Sequence, residues 1–154
     1  MFDRIVRWLE ESRVAYRTVH HQPTRTSEES AKARGEDISV GGKAIVMKVD
    51  DRFLLFVLSA ALKVDAKRVR EYFKARSIRF ATGEELHDLT GLVPGSVPPF
   101  GRPILDLELF ADESVARNEK IAFNAGSLTD SIIMATRDYL ALAKPSVFLF
   151  GKEP

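Results

Sequence analysis

The chain contains no cysteine, one tryptophan, and a formal charge of only +1 over 154 residues. Lack of cysteine rules out disulfides, a thiolate nucleophile and cysteine-ligated metals. Near-balanced charge rules out a uniformly basic coat for nucleic acid, with no DNA partner expected, but allows a local basic patch. Long apolar runs are also missing, since FLLFVLSAAL (Phe53–Leu62) is well short of the roughly 20 residues that span a bilayer. The opening MFDRIVRWLEESRV is charged throughout and lacks the apolar centre of a signal peptide. A soluble, cytoplasmic protein with no membrane partner is therefore expected. Four catalytic or nucleotide-binding signatures are absent as well: the Walker loop, GxGxxG, GxSxG and HExxH. Only three histidines occur, two of them adjacent, so neither a metal nor a cofactor is expected.

What is present is an ordinary globular balance, 45% hydrophobic and 29% charged, on a chain long enough to bury a core. No linker, repeat or low-complexity tract divides residues 1–154, which read as one domain. Phe2, Ile5, Val6 and Leu9 keep helical spacing to about Ser12, and VAYRTV (14–19) alternates as a strand does. Thr26-Ser-Glu-Glu29, Thr82-Gly-Glu-Glu85 and Ser127-Leu-Thr-Asp130 each match a capping box and predict a helix start. The last of these helices is expected to run to about Ala143, before Pro145. AIVMKVD (44–50) and RFLLFVLSA (52–60) form a predicted hairpin, apolar enough to be covered on both faces. ILDLELF (104–110) and KIAFNAG (120–126) are further predicted strands. Asp65–Ala75 reads as a basic helix leading into a short strand at Ile78–Ala81. The mixture lacks regular βαβ alternation and indicates an α+β fold, a mixed, curled sheet flanked by helices.

Fourteen residues, TGLVPGSVPPFGRP (90–103), hold four of the seven prolines and three of the nine glycines. Gly91, Gly95 and Gly101 can adopt φ > 0, while Pro94, Pro98, Pro99 and Pro103 remove alternative shapes. Amides fixed in such a loop can bind an anion or stabilise an oxyanion. A rigid crossover without chemistry fits the composition equally well. FNAGS (123–127) precedes the predicted last helix and offers either a second set of free amides or an ordinary turn.

Lys43 follows Gly41-Gly42 and leads into an apolar strand. It can simply reach solvent, or it can place an ammonium on a phosphate or a polarised carbonyl oxygen. His20 and His21 cannot both face one side of a strand, and a polar strand end accounts for them. Ser96, in Pro-Gly-Ser-Val-Pro, has no neighbour in sequence that marks it as a nucleophile. Between residues 63 and 79, seven cations stand against two anions, a local charge of +5. That stretch is either a solvated helix face or a contact surface for phosphates, with salt-dependent binding.

In order and spacing, HHQPTRTSEESA (20–31), GGKAIVMK (41–48), TGLVPGSVPPFG (90–101), ILDLELF with Asp106, and FNAGSLTDSIIMATRDYLAL (123–142) resemble the YbaK family, also called the prolyl-tRNA synthetase-associated or insertion-domain-like family. The resemblance spans nearly the whole chain. It implies a metal-independent aminoacyl-tRNA deacylase that edits mischarged tRNA in trans, with no covalent enzyme nucleophile. It implies Lys43 as the catalytic residue. His21, Thr26, Gly42, Gly95, Ser96, Gly101, Asp106, Asn124, Gly126 and Ser127 are the implied substrate-binding residues. Lys63, Lys67, Arg68, Arg70 and Lys74 are the expected tRNA contacts, and a synthetase is a possible partner. Several family members carry a bulkier residue where Gly42 stands, so Gly42 is expected to enlarge the entrance or alter which amino acid fits. The expected substrate is proline tRNA carrying alanine, cysteine or serine. A non-catalytic module that binds tRNA or a synthetase through the same pocket is the alternative.

Overall fold

A computed structural model describes residues 1–154. Helix α1 (Phe2–Glu11) places Ile5 and Leu9, both fully buried, against the sheets. Strand β1 (Tyr16–His20) follows, then helix α2 (Ser27–Arg34), opened by the Thr26 hydroxyl accepting from the Glu29 amide. The hairpin β2 (Gly42–Val49) and β3 (Arg52–Ser59) pairs in full register from Gly42↔Ser59 to Val49↔Arg52. Leu54 to Ser59 are buried without interruption, as expected for a strand covered on both faces. Next come β4 (Lys63–Val64), α3 (Ala66–Phe73), β5 (Ile78–Phe80) and α4 (Gly83–Thr90), whose N-terminus carries a complete Thr82/Glu85 capping box. The chain ends with β6 (Leu109–Asp112), α5 (Glu113–Ala116), β7 (Lys120–Asn124), β8 (Asp130–Ala135), α6 (Thr136–Ala143), β9 (Ser146–Phe148) and β10 (Gly151–Lys152).

The fold is α+β, as expected, with its strands divided among open sheets. A five-stranded mixed sheet has the order β5-β2-β3-β6-β9 and a three-stranded antiparallel sheet the order β1-β8-β7, while β4 and β10 form a small pair. The two larger sheets meet at a single parallel bridge, Gly41↔Ala122. That junction brings the start of β2 beside the middle of β7. No helix is long and apolar enough to cross a membrane.

Two local expectations are overturned. Ser127–Asp130 caps no helix: it is the turn of the β7–β8 hairpin, where the Ala125 amide donates to the Asp130 carbonyl. The Ser127 hydroxyl accepts from the Thr129 amide and donates to the Asp130 carboxylate. Ser, Thr and Asp make such local bonds in turns as readily as at helix starts. The following Ser131–Met134 are buried on both faces of a strand, and the helix begins only at Thr136. Residues 104–108 are likewise no strand, because the Gly101 carbonyl accepts from the amides of Ile104 and Leu105 and folds them into a turn. Pairing with β3 begins at Leu109.

The Gly/Pro loop is anchored from beneath by aromatic rings. Phe100 is fully buried and packs on Trp8, Phe123 and Tyr139. The buried Tyr139 hydroxyl donates to the Pro99 carbonyl at 2.6 Å. One end of the loop is thus pinned to the core while the other, at Pro94–Gly95, borders an open cavity.

Candidate functional site

A cavity of about 400 Å³ opens where the end of α2, the start of β2, β5, the Gly/Pro loop and the end of β7 converge. Val46, Leu86 and Val97 form apolar wall, and Arg25, Lys43 and Arg34 are its charged residues. No carboxylate lines it. The cavity therefore favours electron-rich ligand atoms over cationic ones.

Lys43 is half-buried, and its ammonium donates to the Leu62 carbonyl at 2.6 Å. Burial pushes its pKa below the ordinary lysine value, partly opposed by Glu28. A single neutral acceptor leaves two of the three ammonium donors available to a ligand. The geometry explains the pair of glycines before it. A Cβ on Gly42 would lie 2.6 Å from the Ile121 side chain and one on Gly41 2.8 Å from that of Ala60. Gly42 lines the cavity, yet the space its missing side chain leaves is filled by Ile121 rather than added to the entrance.

Arg34 lies at the last turn of α2 and is only 9% exposed. Its Nε donates to the Ser131 hydroxyl at 2.9 Å, Nη2 to Asn124 Oδ1 at 3.0 Å and Nη1 to the Ala122 carbonyl at 3.4 Å. All three acceptors are uncharged. Burial alone pushes its pKa down to about 10. Asn124 continues the network, donating from Nδ2 to the Gly95 carbonyl at 2.8 Å. Gly95 has φ +88°, a conformation for which glycine is suited, so the loop's edge is set by its own backbone and by Asn124. His21 lies behind, with Nε2 2.8 Å from the Ser131 hydroxyl and Nδ1 2.8 Å from the Gln22 carbonyl. A carbonyl can only accept, so Nδ1 donates to Gln22, while the Ser131 hydroxyl accepts from Arg34 and donates to Asn124 Oδ1 at 3.1 Å.

Thr26, Gly42, Lys43, Gly95 and Asn124 are brought together around the cavity. The other expected substrate contacts lie elsewhere. His21 reaches the site only through Ser131. Ser96 is buried and closes a turn, its hydroxyl donating to the Val93 carbonyl at 2.7 Å. Gly101 does not adopt φ > 0; what it needs is space, because a Cβ there would lie 2.5 Å from the Leu107 carbonyl oxygen. Asp106 has a side chain 91% exposed and pairs with Arg102 in a separate shallow cleft. Gly126 has φ +74° and packs on Met1, and Ser127 serves the hairpin turn. The expected tRNA contacts Lys63, Lys67, Arg68, Arg70 and Lys74 are all exposed on β4 and α3, with Arg68 3.6 Å from Asp65. Lys63 directly follows Leu62, the acceptor for Lys43, so this basic face begins beside the cavity.

Among the lining residues not assigned to a site from sequence are Arg25, Ser30, Arg34 and Phe80. Arg34 reads there as an ordinary basic residue in the last turn of a helix. Phe80 is 58% exposed at the end of β5, an unusual position for a large ring beside a polar cavity.

A cavity with cations at several depths and no acid, walled by a shape-fixed loop, suits an uncharged or anionic acyl compound carried on a phosphate-bearing partner. Comparison with known proteins agrees. Residues 21–142 match the model of the aminoacyl-tRNA editing domain. The chain belongs to that family and is an aminoacyl-tRNA deacylase. It is 33% identical over 155 residues, 97% of this chain and 92% of the relative, to the multifunctional Ser/Thr-tRNA deacylase ProXp-y of Escherichia coli K12. A proline–tRNA ligase of Bacillus licheniformis is 36% identical over 97 residues, 63% of this chain and 17% of the ligase. Among solved structures, a candidate trans-editing enzyme for prolyl tRNA synthetase superposes with a TM-score of 0.83 at 25% identity, covering 98% of this chain and 97% of the other.

Proposed function

We propose that the protein hydrolyses, in trans, the ester linking a small amino acid to a mischarged tRNA, with serine on proline tRNA as the leading substrate. Serine is the amino acid shared by the expectation from sequence and the name of the Escherichia coli relative. The observation that carries the reading is the layering of cations in the cavity: Arg25 exposed, Lys43 half-buried, Arg34 buried. An aminoacyl-tRNA end presents its groups in a matching order, with phosphate outermost, ester next and amino-acid side chain deepest.

The bond is an activated ester, so placement and charge stabilisation do most of the work. Lys43 turns from the Leu62 carbonyl, or shares its free donors, to meet the ester carbonyl oxygen as it gains negative charge. Water adds to the carbonyl carbon, the bond to the ribose oxygen breaks, and free amino acid and a ribose hydroxyl result. Neither histidine nor carboxylate lines the cavity, so the proton of the attacking water passes to the substrate's own groups or to solvent. Thr26, Asn124 and the Gly95 backbone hold the aminoacyl group. The loop's rigidity sets pocket size, where one methylene is worth only about 1–3 kcal/mol of discrimination. Phe80 offers its exposed face to the terminal base, and Lys63, Lys67, Arg70 and Lys74 face the acceptor-stem phosphates. The cytoplasm, where tRNA is charged, is the compartment this chemistry requires, and a synthetase is the natural neighbour.

The test is hydrolysis of proline tRNA charged with serine, threonine, alanine, cysteine or proline. Faster loss of one or more mischarged species, with prolyl-tRNA spared, is expected. Protection of every ester, or unchanged decay, would replace the reading with a tRNA-binding module.

A further inference from the structure

Arg34 poses a problem that packing alone does not resolve. Its guanidinium is withdrawn from water, yet no carboxylate bonds to it and none lines the cavity it borders. Buried charges in proteins are ordinarily paired, because an uncompensated one is costly. Three neutral acceptors occupy three of the five guanidinium N–H groups, leaving two without a protein acceptor. The Nη1 atom lies against the Gly41 backbone, 3.6 Å from where a Cβ there would stand. Ser131 and Asn124 hold the plane of the group, and Asn124 in turn holds the Gly95 edge. The result is a pre-oriented donor at the deepest charged position of the cavity.

We propose that Arg34 is a specificity-determining residue that donates to an oxygen on the substrate's amino-acid side chain, so that the pocket selects hydroxyl-bearing residues over equally small apolar ones. The inference rests on the deacylase reading of the same cavity. It follows from depth: the ester lies at the level of the half-buried Lys43, and what extends past it toward Arg34 is the side chain. A lysine or arginine side chain would be repelled there, and an apolar one would leave the guanidinium unsatisfied. A hydroxyl accepts from it without strain.

The experiment compares wild type, Arg34→Met and Arg34→Lys on tRNA carrying serine or alanine, and threonine or valine, pairs matched in size. A hydrogen bond to a charged donor predicts that wild type favours the hydroxyl member by about 10- to 100-fold in kcat/KM. Arg34→Met is expected to lose most of that preference, the seryl ester losing about 10-fold or more in kcat/KM beyond any loss on the alanyl ester. Arg34→Lys keeps the charge, but one nitrogen cannot serve Ser131, Asn124 and a ligand together. It is therefore expected to fold and to lose most of the preference as well, which keeps the test decisive if the methionine variant does not fold. Equal losses on both members of a pair, or an unchanged ratio in either folded variant, would reduce Arg34 to a structural role and leave the deacylase reading standing. No hydrolysis by wild type of any mischarged ester would overturn the reading and this inference together.

Discussion

The molecule buries two very different kinds of interior. Behind the five-stranded sheet, Phe56 packs on Phe73, Phe110 and Phe150, with Phe148 and Tyr72 stacked at the rim, in a wholly apolar cluster. Between the two sheets, Arg34, Ser131 and Asn124 are buried as a polar chain that ends on a loop carbonyl. Aromatic burial stabilises without specifying any partner. The polar chain spends stability on a charge held ready at a cavity wall, which is how functional sites commonly depart from the packing rules. One interior keeps the chain folded, and the other gives it something to do.

The largest expected effect breaks the first interior. Phe56→Ala should destabilise by about 4 kcal/mol, by lost burial plus the cavity left behind. Denaturant unfolding checks this, and folded molecules should keep wild-type kcat/KM on seryl-tRNA. The reverse holds for the second interior's mouth. Lys43→Ala should lower kcat by about 100-fold or more, as removal of an oxyanion donor does, with the melting temperature little changed. A folded, fully active Lys43→Ala protein would remove the residue from the mechanism. Because burial lowers the Lys43 pKa, activity that needs its charge should fall with rising pH before an ordinary lysine would titrate. Lys43→Arg, which stays charged, should carry that alkaline limb upward if it is active.

Gly101→Val sits between the two regions. The added side chain would strike the Leu107 carbonyl and crowd Leu109, a loss of about 2 kcal/mol seen by thermal melting. Its cause is a clash at the Cβ rather than a forbidden φ, so Gly101→Ala, which carries the same Cβ, should be nearly as harmful. The smallest effect belongs to Phe80→Ala. Loss of base stacking should raise KM for an aminoacyl-adenosine ester about 5- to 10-fold and leave a simple methyl ester of the same amino acid unaffected. Equal effects on the two esters would show that Phe80 shapes the pocket instead.

Legibility differed along the same line. The apolar hairpin, the first helix, the Thr26 N-cap and the Thr82/Glu85 capping box could be read directly, because each is set by side-chain periodicity or by a bond between residues three apart. Lys43 and Gly95 stood out because glycine and proline mark unusual backbone wherever they cluster. Asp106 and Ser127 were misplaced for the opposite reason. Their turns look the same in sequence whether they face a ligand or solvent, and only the neighbours brought by the fold distinguish them.

By itself the sequence determined most of the element types, the α+β class, the Gly/Pro loop and the family. These follow from local chemistry and from motif order along the chain. The tertiary structure alone decided which polar residues share a cavity. Arg34 meets Ser131 97 positions away and Ala122 88 positions away, and such meetings depend on the bridge between the two sheets. Burial turns a commonplace helix-end arginine into a charge that seeks a ligand, and burial is a property of the packed chain rather than of any residue in it.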